Sequence, residues 1–281
     1  MLLLVAVATV IAAIRTDAPL PATSFGFVVF TFVYLSILES IIPHDRTWHP
    51  EAWEWRRDGL YYAMTMLSGG LARGGIVSVG AVVAPLEHRL SLGVEIPVAI
   101  VVLSFGSYVY HRLSHRVPWL WKMHGIHHTP RKVNVSNQNL HQFLDAALQL
   151  LVTHLPLFLL GLSQQAVFAA IVFRIVQGYA VHANIAVELG WLNYVLGGPE
   201  QHRLHHSRDP REVGHYAVDL PLWDLLFGSF TWKPARAPRR VGLRHSASFP
   251  SVRSFVVNQL HPFRRAGYLE RGARVGVAID R

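Results

Sequence analysis

Residues 94–128 read VEIPVAIVVLSFGSYVYHRLSHRVPWLWKMHGIHH, and the fold turns on how this run divides. Val94–Tyr110 is almost unbroken apolar sequence, and a hydrocarbon core about 30 Å thick is crossed by roughly 17–25 such residues in a helix. Where the apolar run stops, histidines begin: His111 and His115, then His124, His127 and His128. A membrane-crossing helix therefore delivers a histidine cluster to one face of a bilayer.

Working outward, Leu2–Ile14 is short, lacks a basic leader and a small-residue cleavage site, and is expected to be part of a retained first helix. Phe25–Ile42 is a clear span that ends at Pro43, and Leu60–Val83 is another, with Arg73 and Gly69, Gly70, Gly74 and Gly75 making it look broken or cavity-lining. Phe143–Ala180, with Pro156 and Gly161 inside it, is too long for one ordinary helix and suits two. A transmembrane hairpin over 143–181 returns the chain to the face it left, so all the histidine groups lie on one side. Arg15 and Arg89 are expected in loops on the other side and Arg73 and Arg174 within spans, whereas His44–Asp58 and His111–Gln142 are rich in Lys and Arg. The positive-inside rule makes the histidine face cytoplasmic. The expected fold is all-α: a multi-span membrane helical bundle with a cytoplasmic helical cap that holds a His-rich dimetal site.

Composition narrows the chemistry. Half of the 281 residues are hydrophobic and only 15% are charged, against about a quarter in an ordinary soluble domain. Cysteine is absent, which excludes disulfides, iron–sulfur ligation and thiol nucleophiles. The net charge of +9 comes from basic residues scattered among apolar spans, without the compact basic domain that nucleic acid requires. A basic membrane-facing surface accounts for it.

Histidine is the anomaly, at 17 residues. His111 and His115 stand at i,i+4, on one face of a helix. His124-Gly-Ile-His127-His128 and His202-Arg-Leu-His205-His206 repeat an i, i+3, i+4 spacing that can serve two neighbouring metals, and His182-Ala-Asn184 adds a fourth group at the end of the hairpin. A closed zinc site would use four ligands. Two metals sharing eight or more imidazoles suit iron, which takes five or six ligands and leaves room for oxygen. Taken singly, His44, His49, His88, His154, His245 and His261 read as interfacial or packing residues, and His141 and His215 as candidates for the metal or its surroundings. A haem carrier would need facing histidines within the spans, where only His154 lies deep. A metal transporter would spread its ligands across the membrane instead of gathering them on one face.

At these residues the sequence resembles the fatty acid hydroxylase/sterol desaturase superfamily of membrane-bound non-haem di-iron enzymes, over roughly Val94–Thr231. The matching elements are Tyr108-Val-Tyr-His111-Arg-Leu-Ser-His115, Leu120-Trp-Lys-Met-His124-Gly-Ile-His127-His128, His182-Ala-Asn184, His202-Arg-Leu-His205-His206-Ser207 and Leu222-Trp-Asp224-Leu-Leu-Phe227-Gly228. The sequence departs from the pattern at Ser104, where members often have Asp, at His215-Tyr216-Ala217, where many have Asn-Tyr-Gly, and at Gly178, where some hydroxylases have a further histidine.

The resemblance implies two iron ions held by His111, His115, His124, His127, His128, His182, His202, His205 and His206. Asn184, His141, His215 and Asp224 are possible supports, Asp224 by orienting a ligand histidine through its second ring nitrogen. It also implies an O2-dependent oxidation of a lipid C–H bond, giving hydroxylation or, with the same centre, desaturation. The expected units are N-terminal membrane helices (1–93), a catalytic unit (94–232) and a cytoplasmic tail (233–281) with no assigned chemistry. No Gly-x-Gly-x-x-Gly fingerprint is present, so electrons must come from a separate cytoplasmic donor. Arg208, Arg211, Arg236, Arg239 and Arg240 could dock an acidic carrier or attract anionic headgroups.

Overall fold

The computed structural model describes residues 1–83 and 90–264; His88 and Arg89 of the sequence reading lie outside them. Among the described residues the chain is helical with no strand, only two isolated bridges, Pro43 to Ile185 and Ser207 to Val241. Six long helices form the bundle: α1 (Leu2–Arg15), α2 (Leu20–Ile41), α3 (Ala52–Val83), α4 (Leu92–Arg116), α6 (Phe143–Leu159) and α7 (Gln164–His182). Four short ones, α5 (Pro118–His124), α8 (Pro199–His205), α9 (Leu222–Leu226) and α10 (Phe255–Leu260), build the cap with the loops between them.

Three helices, α2, α4 and α7, are long and apolar enough to cross a membrane. The expected span at Leu60–Val83 is not among them. It belongs to α3, which runs unbroken from Ala52, so Glu54, Arg56, Arg57, Asp58 and Arg73 share the helix with its apolar stretch. The glycines do not break α3; Gly69 and Gly70 line a cavity instead.

Why α4, α6 and α7 lie together is visible in their contacts. A side chain at Gly106 on α4 would stand 2.8 Å from the carbonyl of Val152 on α6, so the missing Cβ lets two backbones approach as small residues do between membrane helices. Ala99, Leu103, Leu157, Ala166 and Ala170 fill the remaining space between the three. The hairpin turns at Gly161 (φ +64°), a conformation that disfavours other residues, and Ser163 caps α7 by accepting from the Ala166 amide. On the far side Leu35 of α2 packs with Tyr179, Ala183 and Ile185. Buried Glu39, at the end of α2, accepts the amides of Val135 and Asn184 at 2.8 and 2.7 Å, tying the bundle to the loops around His182.

The segment set apart as a tail is packed into the cap as far as Arg264. Arg208 and Gly242 donate their amides to the carbonyls of Arg240 and His206, Phe249 lies against Trp121, and Phe255 meets Tyr61 of α3 edge-on at 4.9 Å. Gly125 is required here, because a Cβ would fall 2.3 Å from the Phe249 ring.

Candidate metal centre

Four segments place the nine histidines at one end of the bundle. His111 and His115 occupy the last turns of α4 and His182 ends α7. α5 and α8 are seven residues each and open on Pro118 and Pro199, which suit a first helical turn because its amides have no helical partner. The first triplet is not on a continuous α-helix. α5 ends at His124, and the amides of His127, His128 and Thr129 bond three residues back to His124, Gly125 and Ile126. This tighter winding brings both His127 and His128 inward.

Eight of the nine histidines singled out in the sequence fall into two groups of four. His111, His115, His128 and His205 form one and His127, His182, His202 and His206 the other, each with one ring nitrogen per residue within 4.8 Å of the rest. The consecutive pairs are split: His127 and His206 serve one group, His128 and His205 the other. Neighbours on a turn point in different directions while residues four apart share a face, so each His-x-x-His-His turn reaches both groups. His128 and His206 stack across the boundary with centroids 4.3 Å apart.

The ninth, His124, joins His141 and Asp145 in a third group. Its ring centroid is 4.9 to 5.2 Å from those of His111, His115 and His128, beside the first group. Asp145, in the first turn of α6, accepts from Nδ1 of both His124 (3.3 Å) and His141 (2.8 Å), and its other oxygen accepts from the Tyr110 hydroxyl at 2.7 Å. His141 stacks parallel on His127 at 4.7 Å. Sequence reading missed Asp145 and Tyr110, although His141-x-x-x-Asp145 had the i,i+4 spacing that would have paired them.

The other expected supports act differently. Asp224 touches no ring of the two groups. It accepts the amides of Tyr216 and Ala217 at 2.9 and 2.8 Å and the hydroxyl of Ser229, and Tyr216 in turn offers its carbonyl to His111. Burial raises Asp224 to about 6. Asn184 has both ends of its amide on the backbone of Asp45, and His215, at φ +57°, stands outside the groups near Asp224.

Ring orientation tests whether a metal fits. A carbonyl can only accept, so the contacts of His111 Nδ1 with Tyr216 O (2.7 Å), His205 Nδ1 with Gly214 O (2.8 Å) and His182 Nδ1 with Asn134 O (3.1 Å) place the proton on Nδ1. The lone pair is then on Nε2, the outer-sphere arrangement that metal-binding histidines use. The Nε2 atoms of His111, His115, His124, His128 and His205 are buried with no hydrogen-bond partner, a costly state for a polar atom unless something occupies the space between them. In the second group Nε2 of His182 lies 3.2 Å from that of His127, and Nε2 of His206 lies 3.1 Å from that of His202. Two donors each about 2.1 Å from one cation and at right angles stand about 3.0 Å apart. The residues fit a metal.

Burial, reinforced by neighbouring imidazoles, holds His127, His128, His202 and His206 well below the usual histidine range, and His205 near 3. These five rings are therefore neutral at physiological pH, the form that binds metal. Between the depressed folded values and the ordinary value of about 6.5 the unfolded chain carries more protons, so stability rises with pH through that window. We expect thermal stability and metal retention to fall as the pH drops below about 6.5, measured by melting and metal analysis across a pH series. A pH-independent profile would show that these rings are not buried and neutral.

A cavity of about 320 Å³ opens between α2, α3, α6 and α7. His141, Gln138 and Asn139 line its cap end, and Gly70, Arg73 and His154 line it deeper in the bundle. The chain thus carries three membrane-length helices, two four-histidine groups and a cavity that touches their edge.

The fatty acid hydroxylase family model matches residues 96–229, the stretch that holds both groups. Ornithine lipid hydroxylase OlsE of Rhizobium tropici is 26% identical over 266 residues, covering 86% of this chain and 77% of its own length. Alkylglycerol monooxygenase of Danio rerio is 33% identical over 134 residues, 47% of this chain but only 29% of the relative. Fatty acid hydroxylase vlmA of Lecanicillium sp is 27% identical over 192 residues, 60% of this chain and 52% of its own. No solved structure matches. The family match and the relatives fall on the segment that gathers the histidines, so residues 96–229 form a fatty acid hydroxylase segment within an integral membrane protein.

Proposed function

We propose that this protein is a multi-pass lipid hydroxylase that holds two iron ions in its two four-histidine groups on the cytoplasmic face. The observation that carries the reading is the splitting of His127/His128 and His205/His206 between the groups, which gives two adjacent sites with nitrogen donors only. The relatives' names, an ornithine lipid hydroxylase, an alkylglycerol monooxygenase and a fatty acid hydroxylase, support a lipid substrate. Iron bound there would supply the reduction of dioxygen and the oxidation of an unactivated C–H bond, for which acid–base side chains have no means.

The chain's own residues prepare that chemistry. The carbonyls of Asn134, Gly214 and Tyr216 and the carboxylate of Asp145 hold protons on Nδ1, keeping the inward nitrogens free as donors. Burial excludes bulk water from the groups. The cavity admits a lipid between α2, α3, α6 and α7 and leads its reacting carbon past His141.

Purification without oxygen, metal analysis with Mössbauer spectroscopy, then reduction, oxygen exposure and mass spectrometry of bound lipids test the proposal. Two irons per chain and a lipid gaining one oxygen atom are expected. A lipid losing two hydrogens would make the protein a desaturase, and a metal-free or single-zinc protein with no oxygen-dependent product would overturn the reading.

Nothing stands within 4 Å of a Cβ added at Gly70, an exposed position that lines the cavity. Gly70→Phe should therefore fold, keep its metal and lower turnover on a long-chain lipid at least about tenfold, a loss of about 1.4 kcal/mol in barrier terms. Turnover matching the wild type would exclude this cavity as the lipid's path.

A further inference from the structure

Four arginines line a cleft of about 580 Å³ behind the histidine groups: Arg131, Arg208, Arg239 and Arg240. Arg208 follows His206 by two residues, Arg131 follows His128 by three, and Arg240 is held beside them by the Arg208 amide donating to its carbonyl. Arg131, Arg239 and Arg240 are exposed and Arg208 is half-buried.

None of the four has an ion-pair partner among the described residues, whereas three other basic residues of the cap do. Arg211 pairs with Asp209, Arg236 with Glu212 and Lys132 with Glu54. The carboxylate on the cleft's wall, Asp45, is engaged by the amide and hydroxyl of Thr47. The fold thus neutralises these three cations and leaves the four arginines of the cleft as a compact positive focus, with Arg208 and Arg131 two and three residues from histidines of the two groups. Attraction to bilayer headgroups needs no such focus; a ring of cations around the helix ends would serve.

We propose that this cleft docks the acidic face of a one-electron carrier protein that reduces the metal centre. The proposal rests on the oxygenase reading. Placing one atom of O2 in a C–H bond and reducing the other to water consumes two electrons and two protons from outside the substrate. A carrier giving one electron per encounter docks twice in each turnover and leaves oxidised. The sequence holds neither a cysteine for an iron–sulfur cluster nor a nucleotide fingerprint, so the electrons enter through a surface. A concentrated positive patch speeds such encounters and makes them salt-dependent.

The test measures binding of an acidic plant-type [2Fe–2S] ferredoxin to the full chain in nanodiscs of phosphatidylcholine, which carries no net charge, over a series of salt concentrations. Binding that weakens at least tenfold in R239E/R240E and loses its salt dependence, stays within threefold of wild type in R239K/R240K, and changes less than threefold in R211E supports the cleft. Equal loss in R211E, or no ferredoxin binding by the wild type at low salt, overturns it. So does a reversal that leaves ferredoxin binding intact and weakens only association with phosphatidylglycerol vesicles, which would assign the cleft to the bilayer. Because binding is read without turnover, a chain that binds ferredoxin but holds no iron sinks the oxygenase reading alone.

Discussion

Replacing His128 with alanine is expected to abolish turnover and strip metal from more than the group it belongs to. Its Nε2 is buried without a partner, and its ring stands 4.7 Å from His115 and 5.0 Å from His205 in its own group. It also stacks on His206 of the other group, so the deletion removes one donor and the support of another. Losing an outer partner of a ligand costs about 10–100-fold in affinity or activity, and losing a donor should exceed that. Metal analysis should find one ion or fewer, with turnover below detection. His245→Ala, at an exposed ring, should keep both. Full metal and turnover in His128→Ala would mean that the four-histidine group is not a metal site.

A second large effect is expected at Asp145. Its carboxylate accepts from three buried donors: Tyr110, His124 and His141. Alanine would leave both imidazoles without this acceptor and Tyr110 with only the backbone carbonyl of residue 145, at about 1–3 kcal/mol per buried group, so a loss of several kcal/mol in stability is expected. Freed from Asp145, the His124 ring can turn and its inward nitrogen can take the proton, so metal affinity should fall about 10–100-fold as well. Asp145→Asn keeps an acceptor for Tyr110 but presents an amide to the imidazoles, and should lie between. Thermal melting and metal titration separate the two consequences. A variant that melts early yet binds metal like the wild type would make Asp145 a packing residue only.

These two residues also mark how far the sequence could be read. His128 announces itself through a spacing whose meaning is local: neighbours on one turn diverge and residues four apart converge. The hairpin was legible for the same reason, since Gly161 and Ser163 act within their own turn. Asp145 was legible only through its i,i+4 spacing from His141, because its other partners His124 and Tyr110 are 21 and 35 positions away and a lone acidic residue opening an apolar helix has many ordinary explanations. The carbonyls of Asn134, Gly214 and Tyr216 could not be foreseen at all, because every residue carries one and only the fold aims it. Asp224 shows the same limit from the other side. The residue was noticed, but it works through the backbone of Tyr216 and not on an imidazole. Residues 233–264 gave no periodic pattern to read, since their place depends on single contacts such as Phe249 over Gly125.

The sharing of adjacent histidines between the two groups has a thermodynamic consequence. His127 and His128 move on one backbone turn, as do His205 and His206, so an ion that immobilises either member of a pair also fixes its neighbour. If each group takes one ion, the entropy of ordering both turns would fall on the first, and the second would find its donors already in place. Under the proposed two-ion reading, loading would be positively cooperative: chains with a single ion should be scarce at every stage of a titration, and the protein would pass from empty to fully charged almost in one step.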